Sequence, residues 1–329
     1  MIIKCILFIV LGILLVLWGA DRLTDGAVAL ARRMKVPQIV IGLTIVAMGT
    51  SMPEFCVSLV SALKGTPDLA VGNVVGSNIF NAMLIVGCAA MVAPMTILRT
   101  TVRKDIPFAV AASAIMFLEC IDGEVSRADA ALLCVVFLFF MFTTLKAARP
   151  AVSACGNVAD DGAEERGNGH AGQQDVPADL SVVRSVVYLL FGLTGLIVGS
   201  NVFVDNATQV AYSLGISEAV VGLTIVAGGT SLPELATSIV AARKGNSGIA
   251  IGNVLGSNVF NILLIIGVTG VVCPMHISGI TMLDLSVMTG SMLLLWLFSY
   301  TRFTVARWEG AVLTLLFLAY MGYLVAQVA

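Results

Sequence analysis

The sequence predicts an all-α polytopic membrane protein with ten transmembrane helices in two inverted-topology five-helix repeats. Of its 329 residues, 58% are hydrophobic and only 12% are charged, and the mean hydropathy is +1.00, which is far from the composition of soluble proteins. Apolar runs long enough to cross a bilayer recur along the chain, and one long segment occurs twice. Because ~20 apolar residues are needed for each crossing, ten crossings exclude a large soluble catalytic or regulatory domain.

Apolar runs interrupted by charged or turn-forming residues define the expected helices. These ten spans lie near residues 4–33, 37–62, 68–93, 105–121, 129–146, 181–213, 217–242, 248–273, 281–299 and 308–327. The first run follows Lys4, as in a signal peptide, but it continues past Ala20 without a small-x-small cleavage site. We therefore predict that it is a membrane helix.

An internal duplication indicates the architecture. Residues 41–87 align without a gap on residues 221–267, and 28 of the 47 positions are identical. Each half of the chain holds five predicted helices, and since five is odd, the two copies must enter the membrane from opposite sides. We therefore assign residues 1–146 to the first five-helix repeat and residues 181–329 to the second.

The segment 147–180 between the repeats is the one polar stretch, and its composition predicts a solvated linker. A calcium-sensing acidic loop is the less favoured alternative, because the spaced Asp and Asn ligands of such a loop are missing. Fourteen Lys and Arg residues lie on the linker side of the predicted topology and three on the other side. By the positive-inside rule, the linker is cytoplasmic and both termini are outside. The expected location is a cell membrane, as a multi-pass protein of the prokaryotic inner membrane.

Composition also limits the partners. The seven cysteines are scattered without a C-x-x-C pair, so neither a disulfide framework nor a thiolate metal site is implied. No basic tract suggests nucleic acid. We expect the lipid bilayer as the surrounding medium, and the sequence indicates no obligate protein partner.

Two membrane helices carry a carboxylate near the middle of an apolar span. The motif G-T-S-x-P-E ends in Glu54 in the second helix and in Glu234 in the seventh. Ionisable groups at this depth are costly and face a partner or a wet cavity. Pro53 has no N–H group, so the helix must kink there and release backbone oxygens. Thr50 and Ser51 precede Glu54 by four and three residues, so we expect their hydroxyls to share its face.

The third and eighth helices supply a polar stripe each. Its members recur at intervals of four residues: Asn73, Ser77 and Asn81, and then Asn253, Ser257 and Asn261. For an isolated Ser or Asn, interhelical hydrogen bonding is the better explanation. For duplicated stripes beside duplicated Pro-Glu kinks, we favour cation coordination. Asn73 and Asn253, together with the neighbouring Asn78 and Asn258, are the members that best fit a structural role.

The candidate donors are all oxygens, since no His or Cys is matched between the two copies. Oxygen donors favour hard cations such as calcium or sodium over zinc or copper. Two glutamates neutralise a divalent charge. When the divalent ion leaves, other cations or protons must replace it, because bare carboxylates are expensive in a low dielectric. This requirement is the physical basis of exchange.

The duplicated segments resemble the α-repeats of the calcium/cation antiporter superfamily, most closely those of the compact microbial sodium/calcium exchangers. The resemblance rests on the two G-T-S-x-P-E motifs with their G-N-x-x-G-S-N-x-F-N continuations, and it covers residues 12–94 and 192–274. It implies a cation site made of the carbonyls of Ala47 and Ala227, the carboxylates of Glu54 and Glu234, the hydroxyls of Thr50, Ser51, Ser77, Thr230, Ser231 and Ser257, and the amides of Asn81 and Asn261.

The same resemblance implies a transporter of calcium and sodium that is not an enzyme and has no cofactor. It also implies long, tilted first and sixth helices that slide as a gate. Asn261 occupies a position that is acidic in potassium-dependent relatives, so a potassium-independent exchanger is expected. More than two sodium ions would exceed the fixed charge of the two glutamates, so we expect electrogenic exchange. A proton-coupled calcium or cation exchanger is the alternative, although its usual G-N-x-x-E motif differs.

Two other classes are less favoured. An intramembrane protease would use paired acidic groups to activate water, but no G-x-G-D, H-E-x-x-H or G-x-S-G motif with a partner histidine occurs. A channel would use similar oxygens, yet buried glutamates in both halves suit tight occlusion better than fast conduction.

Overall fold

The computed structural model describes residues 2–154, 181–213 and 227–328 of the chain. The described part is helical apart from four strands of two residues each. Ten residues of the predicted seventh helix, 217–226, and most of the predicted linker, 155–180, lie outside the described residues.

The first half begins with the longest helix and continues through shorter, interrupted ones. Its helices are α1 (Ile2–Met34), α2 (Gln38–Ile41), α3 (Ala47–Thr50), α4 (Met52–Leu63), α5 (Pro67–Ile79), α6 (Val86–Val92), α7 (Ile106–Glu119) and α8 (Arg127–Ala154). Wider π-helical turns at Gly42–Val46, Phe80–Ile85 and Thr101–Asp105 join several of them, and the strands are β1 (Met95–Thr96) and β2 (Glu124–Val125).

The second half repeats this order. Its helices are α9 (Val182–Ser213), α10 (Ala227–Thr230), α11 (Leu232–Arg243), α12 (Ser247–Val259), α13 (Gly267–Val272), α14 (Met282–Arg302) and α15 (Arg307–Val328). A π-helical turn at Phe260–Ile266 joins α12 to α13, and the strands are β3 (Met275–His276) and β4 (Thr304–Val305).

The offset of 180 residues governs the structure beyond the segment where the sequence shows it. Helices α4 and α11 begin and end at equivalent positions, and so do α5 and α12. The strands follow the same offset, and α8 and α15 begin at the equivalent residues Arg127 and Arg307. Sequence similarity fades after Pro94, so the structure extends the repeat to helices that the alignment matches only in order and length.

The strands join the two halves. β1 pairs antiparallel with β4, so Met95 faces Val305. β2 pairs antiparallel with β3, so Val125 faces Met275. Each strand therefore pairs with the other half, in a pattern related by a pseudo-two-fold axis.

The longest helices, α1 and α9, pack against each other in opposite directions. A methyl group built on Gly12 would lie 2.8 Å from the carbonyl oxygen of Gly199, and one built on Gly19 would lie 2.7 Å from that of Gly192. Position rises on one helix as it falls on the other, so equivalent helices of the two halves are antiparallel, as inverted repeats require. With 33 and 32 residues, both are about 50 Å long and exceed the thickness of a bilayer core.

Seven described helices, or eight with the bent pair Gln38–Thr50 and Met52–Leu63, are long and apolar enough to cross a membrane. The predicted span 105–121 appears as the 14-residue helix α7 after a π-helical turn, which is short for a crossing. The predicted span 217–242 is described only from Ala227. The helical fold is confirmed, while the count of ten remains a prediction.

Candidate cation-binding site

Each G-T-S-x-P-E motif breaks its helix at the serine. Helix α3 ends at Thr50, Ser51 has φ −82° and ψ 6°, and α4 begins at Met52. The two helical pieces are bent by 47°. In the second half, Ser231 has φ −88° and ψ 7°. The proline two residues later lacks an N–H group and excludes a continuous helix, so the kinks that the sequence predicts are present in both copies.

Hydrogen bonds satisfy carbonyl groups at the breaks. The carbonyl of Ala47 accepts the Ser51 N–H at 3.0 Å, and its oxygen lies 3.3 Å from the Thr50 hydroxyl oxygen. The Gly229 carbonyl, four residues before a proline, accepts the hydroxyl of Ser200 from α9. Pro233 cannot donate to the Gly229 carbonyl, and the Ser200 hydroxyl takes that role.

The two glutamates meet at the centre of the molecule and are both buried, with exposed fractions of 0% for Glu54 and 1% for Glu234. Ser51 donates a hydrogen bond to Oε1 of Glu234 at 3.0 Å. Ser231 donates one to Oε1 of Glu54, also at 3.0 Å. Each serine therefore serves the carboxylate of the other repeat. The spacing of Ser51 and Glu54 predicts one shared helical face, and it does not indicate that the Ser51 hydroxyl donates to the glutamate of the other repeat.

The two threonines of the motifs lie beside the same groups. Thr50 is buried and donates to the side-chain oxygen of Asn253 at 3.1 Å, while its hydroxyl also approaches the Glu234 carboxylate. The Thr230 hydroxyl approaches the Glu54 carboxylate in the same way. All four motif hydroxyls are therefore close to a carboxylate of the opposite repeat.

Helices α5 and α12 bring the second set of predicted residues to the glutamates. The hydroxyl oxygens of Ser77 and Ser231 are 3.2 Å apart, and the Ser257 hydroxyl approaches Glu234. Asn81 and Asn261 follow one turn later and are 1% and 0% exposed. Both lie in π-helical turns, a local widening that is frequent at functional sites.

Several polar atoms of this cluster are buried and unsatisfied. Oε2 of Glu54 and Oε2 of Glu234 make no hydrogen bond to any described residue, and neither do the amide groups of Asn81 and Asn261. Buried polar atoms are paired in most proteins, because leaving them bare costs about 1–3 kcal/mol each. Two such carboxylates and two such amides, one helical turn beyond the serines of the cluster, are expected of a site whose ligand completes their coordination.

Among the described residues, no basic side chain forms an ion pair with either glutamate. Across the described parts of the chain, the ion pairs involve Asp21, Asp25 and Glu124 and neither Glu54 nor Glu234. Two carboxylates buried without a counter-charge are strongly unfavourable in a membrane protein. Cations are the groups that can compensate them.

Asn73 and Asn253 have the structural role that the sequence analysis left open for them. The Asn73 side chain donates to the Glu54 carbonyl at 3.2 Å and to Ser58 at 2.9 Å. Asn253 donates to the Glu234 carbonyl at 3.3 Å. Both residues hold the first turn after a kink against the neighbouring helix. Asn258 donates to the Asn78 carbonyl at 3.4 Å, which joins α5 to α12.

The structure thus connects nine of the twelve predicted residues in one buried cluster. Asn81 and Asn261 are buried one helical turn beyond Ser77 and Ser257, and only the backbone of Ala227 is described, where α10 begins. Sequence reasoning missed the contribution of Ser200, whose equivalent in the first half is Ala20 and which therefore carried no duplicated signal. It also missed the crossed serine pairs. The inversion of the repeats was the one signal that could have indicated them.

The chain matches the sodium/calcium exchanger protein family over residues 4–146 and 184–326. It is 35% identical over 321 residues to the putative antiporter CaxA of Alkalimonas amylolytica, covering 96% of each chain. It is 31% identical over 341 residues to the sodium/calcium exchanger MaX1 of Methanosarcina acetivorans, covering 96% of this chain and 97% of the relative.

A solved structure has the same fold. The sodium-calcium exchanger NCX_Mj, soaked with sodium and calcium, superposes with a TM-score of 0.82 at 31% identity, covering 98% of this chain and 99% of the other. The predicted helical multi-pass membrane architecture and the resemblance to the compact microbial exchangers are both confirmed.

Proposed function

Because the chain belongs to the sodium/calcium exchanger family, we propose that it is an antiporter that exchanges calcium for sodium across a membrane by alternating access. The observation that carries this proposal is the set of buried, unpartnered oxygens on Glu54, Glu234, Asn81 and Asn261. As members of a transporter family, such proteins are not enzymes, and the transported ions are substrates rather than cofactors.

Charge balance explains why the site exchanges ions instead of releasing them freely. Glu54 and Glu234 together carry a charge of about −2 when ionised, which one calcium ion neutralises. If calcium left an empty site, two uncompensated carboxylates would remain in a low dielectric. The empty site is therefore too costly to change its accessibility, and a loaded site moves.

Sodium can replace calcium because the surrounding donors are numerous and neutral. Hydroxyls of Thr50, Ser51, Thr230 and Ser231 surround the carboxylates, and the amides of Asn81 and Asn261 extend the cluster. These oxygens can divide one divalent site into several monovalent sites while the fixed charge stays the same. More than two sodium ions exceed that charge, so the two loaded states differ in net charge and exchange is electrogenic.

The composition of the site also supports independence from potassium. Asn261 and its equivalent Asn81 are both amides, so the cluster holds two carboxylates and no third one. The excess of Lys and Arg on one side of the predicted topology supports a cytoplasmic linker with both termini outside. We propose the prokaryotic inner membrane as the location.

The proposal is tested by calcium uptake into proteoliposomes under separate sodium, potassium and proton gradients. Uptake should follow an outward sodium gradient and respond to membrane potential, and it should not require potassium. Uptake that ignores sodium and potential but follows an imposed pH gradient would contradict sodium coupling and support a proton-coupled exchanger. If the purified and reconstituted protein took up no calcium under any of these gradients, the antiporter function itself would be contradicted.

A further inference from the structure

An ion-pair cluster ties the long helix α1 to the end of α11. Nζ of Lys244 lies 2.6 Å from Oδ1 of Asp21 and 2.7 Å from Oδ1 of Asp25. The Lys244 side chain is only 16% exposed, and it also donates to the Asp21 carbonyl at 3.4 Å. A lysine held between two carboxylates in a partly buried place is a stronger contact than an exposed surface pair.

The inverted repeat provides an equivalent set of residues, but these residues form no ion pair in the described parts of the chain. Lys64 is equivalent to Lys244, and Asp205 is equivalent to Asp25, at the offset of 180. Lys64 and Asp205 are both exposed, and no ion pair joins them within the described parts of the chain. Asn201 replaces Asp21 in the second half, so the counterpart has one carboxylate where the assembled cluster has two.

Helix packing is also tighter beside Lys244 than beside Lys64. Helix α1 packs along α11, whereas its equivalent α9 makes no comparable contact with α4 among the described residues. Ala236 on α11 is 8% exposed, but its equivalent on α4, Cys56, is exposed. Val60 is 45% exposed, while its equivalent Val240 is half-buried. A stripe of α4 is open where the matching stripe of α11 is covered.

Equivalent residues in different surroundings mean that the two repeats have different conformations. The helices are packed closely at the end that carries Lys244, here called the Lys244 face, and less closely at the end that carries Lys64, here called the Lys64 face, while both glutamates between them are buried. In transporters built from inverted repeats, the opposite state follows when the two repeats exchange conformations. Asp205 and Lys64 would then meet as Asp25 and Lys244 do here.

We propose that Lys244, with Asp21 and Asp25, is a latch that holds the Lys244 face closed, and that Lys64 with Asp205 is the latch of the opposite face. The two latches position the long helices and set how often the site opens to each side. The assembled latch is the stronger one because it has a second carboxylate. This inference rests on the proposed alternating-access function, and it adds the residues that control the access.

The test uses a thiol at Ala236, which is 8% exposed here although its equivalent Cys56 is exposed, so the proposal predicts that it becomes accessible when the Lys244 face opens. In a variant with all seven cysteines replaced, the rate at which a water-soluble thiol reagent labels Ala236→Cys measures how often the Lys244 face opens. The conformation with this face open is called the minor state. Adding Lys244→Gln should raise that rate roughly fivefold, the low end of typical coupling effects. Lys64→Gln should lower it, because it weakens the latch of the minor state. Arg243→Gln, at an exposed neighbour, is the matched control and should leave the rate unchanged.

Charge reversal separates a latch from a merely structural contact. Asp25→Lys and Lys244→Asp should each speed labelling, and the double variant should restore the slow rate because the pair re-forms with reversed charges. Labelling that is indifferent to Lys244→Gln and Lys64→Gln, or a double variant as fast as the singles, would overturn the proposal. Labelling needs no transported ion. The latch can therefore be supported when calcium and sodium exchange is not observed, and exchange can be observed when the latch is contradicted.

Discussion

Ser51 in the first repeat donates a 3.0 Å hydrogen bond to Oε1 of Glu234 in the second. The equivalent bond joins Ser231 to Glu54 at the same distance. The crossed pairs make each carboxylate depend on the helix break of the opposite repeat. A movement of one repeat against the other therefore changes both halves of the site at once, which links ion occupancy to the arrangement of the repeats.

Glu54→Gln and Glu234→Gln should each abolish calcium transport, with a loss of at least about a hundredfold, while the protein still inserts and purifies. Each glutamate supplies half of the charge that opposes calcium, and glutamine keeps its volume. Calcium flux in proteoliposomes measures the effect. Glu124→Gln, a partly exposed carboxylate outside the cluster, is the control. Near-normal flux in either site variant would show that the assignment of the site is wrong.

Removing a crossed hydrogen bond should weaken calcium binding. Ser51→Ala leaves Oε1 of Glu234 without its donor, and hydrogen bonds to charged groups contribute about 1.5–3 kcal/mol, so a loss of roughly tenfold or more in calcium affinity is expected. Ser231→Ala should have a similar effect. The control is Ser286→Ala, because this exposed hydroxyl bonds only to its own helix, at Met282. Equal affinities for all three variants would contradict a functional role of the crossed pairs.

Close packing of α1 against α9 should be sensitive to a single methyl group. A Cβ on Gly192 would lie 2.7 Å from the Gly19 carbonyl oxygen, so Gly192→Ala must push the helices apart. Overpacking of this kind costs about 1–3 kcal/mol, and we expect a lower unfolding temperature and slower exchange. Gly290→Ala meets open space and serves as the control. If both substitutions behaved alike in thermal unfolding and flux assays, the tight helix contact would be unimportant.

Topology follows from the distribution of positive charge. Single cysteines placed at residues 165 and 329 of a cysteine-free protein should be labelled from the cytoplasm and from outside, respectively, by an impermeant reagent in intact cells. The excess of 14 basic residues against three motivates this orientation. Labelling of residue 165 from outside would reverse it.

The sequence was sufficient to predict the helical membrane fold from its long apolar runs. It was also sufficient to predict the motifs that converge, because the G-T-S-x-P-E segment occurs twice in register. Periodicity placed Ser77 and Asn81 on one face of a helix, and in the structure Ser77 contacts the serine that bonds Glu54, while Asn81 is buried one turn further on. What periodicity could not give is the partner of each group. The i, i+3 spacing of Ser51 and Glu54, for example, does not indicate that Ser51 donates to Glu234 of the other repeat.

Other features depend on long-range packing that leaves no local pattern. The antiparallel strands that join Met95 to Val305 are two residues long, too short for an alternating signature. The ion pairs of Lys244 with α1 involve residues more than 200 positions apart. Ser200 caps a freed carbonyl from a helix outside the aligned segment. Each of these contacts depends on how the two repeats pack against each other. No short stretch of the sequence has a pattern that predicts this packing.

The central claim is that calcium and sodium occupy the same buried site between Glu54 and Glu234. Equilibrium binding of radioactive calcium to the purified protein, measured over a range of sodium concentrations, tests it most directly. We predict that sodium displaces calcium completely and that the apparent Kd for calcium rises with sodium concentration with a limiting slope above two on logarithmic axes, since more than two sodium ions replace one calcium. Calcium binding that is indifferent to sodium, or that survives unchanged in the Glu54→Gln variant, would contradict it.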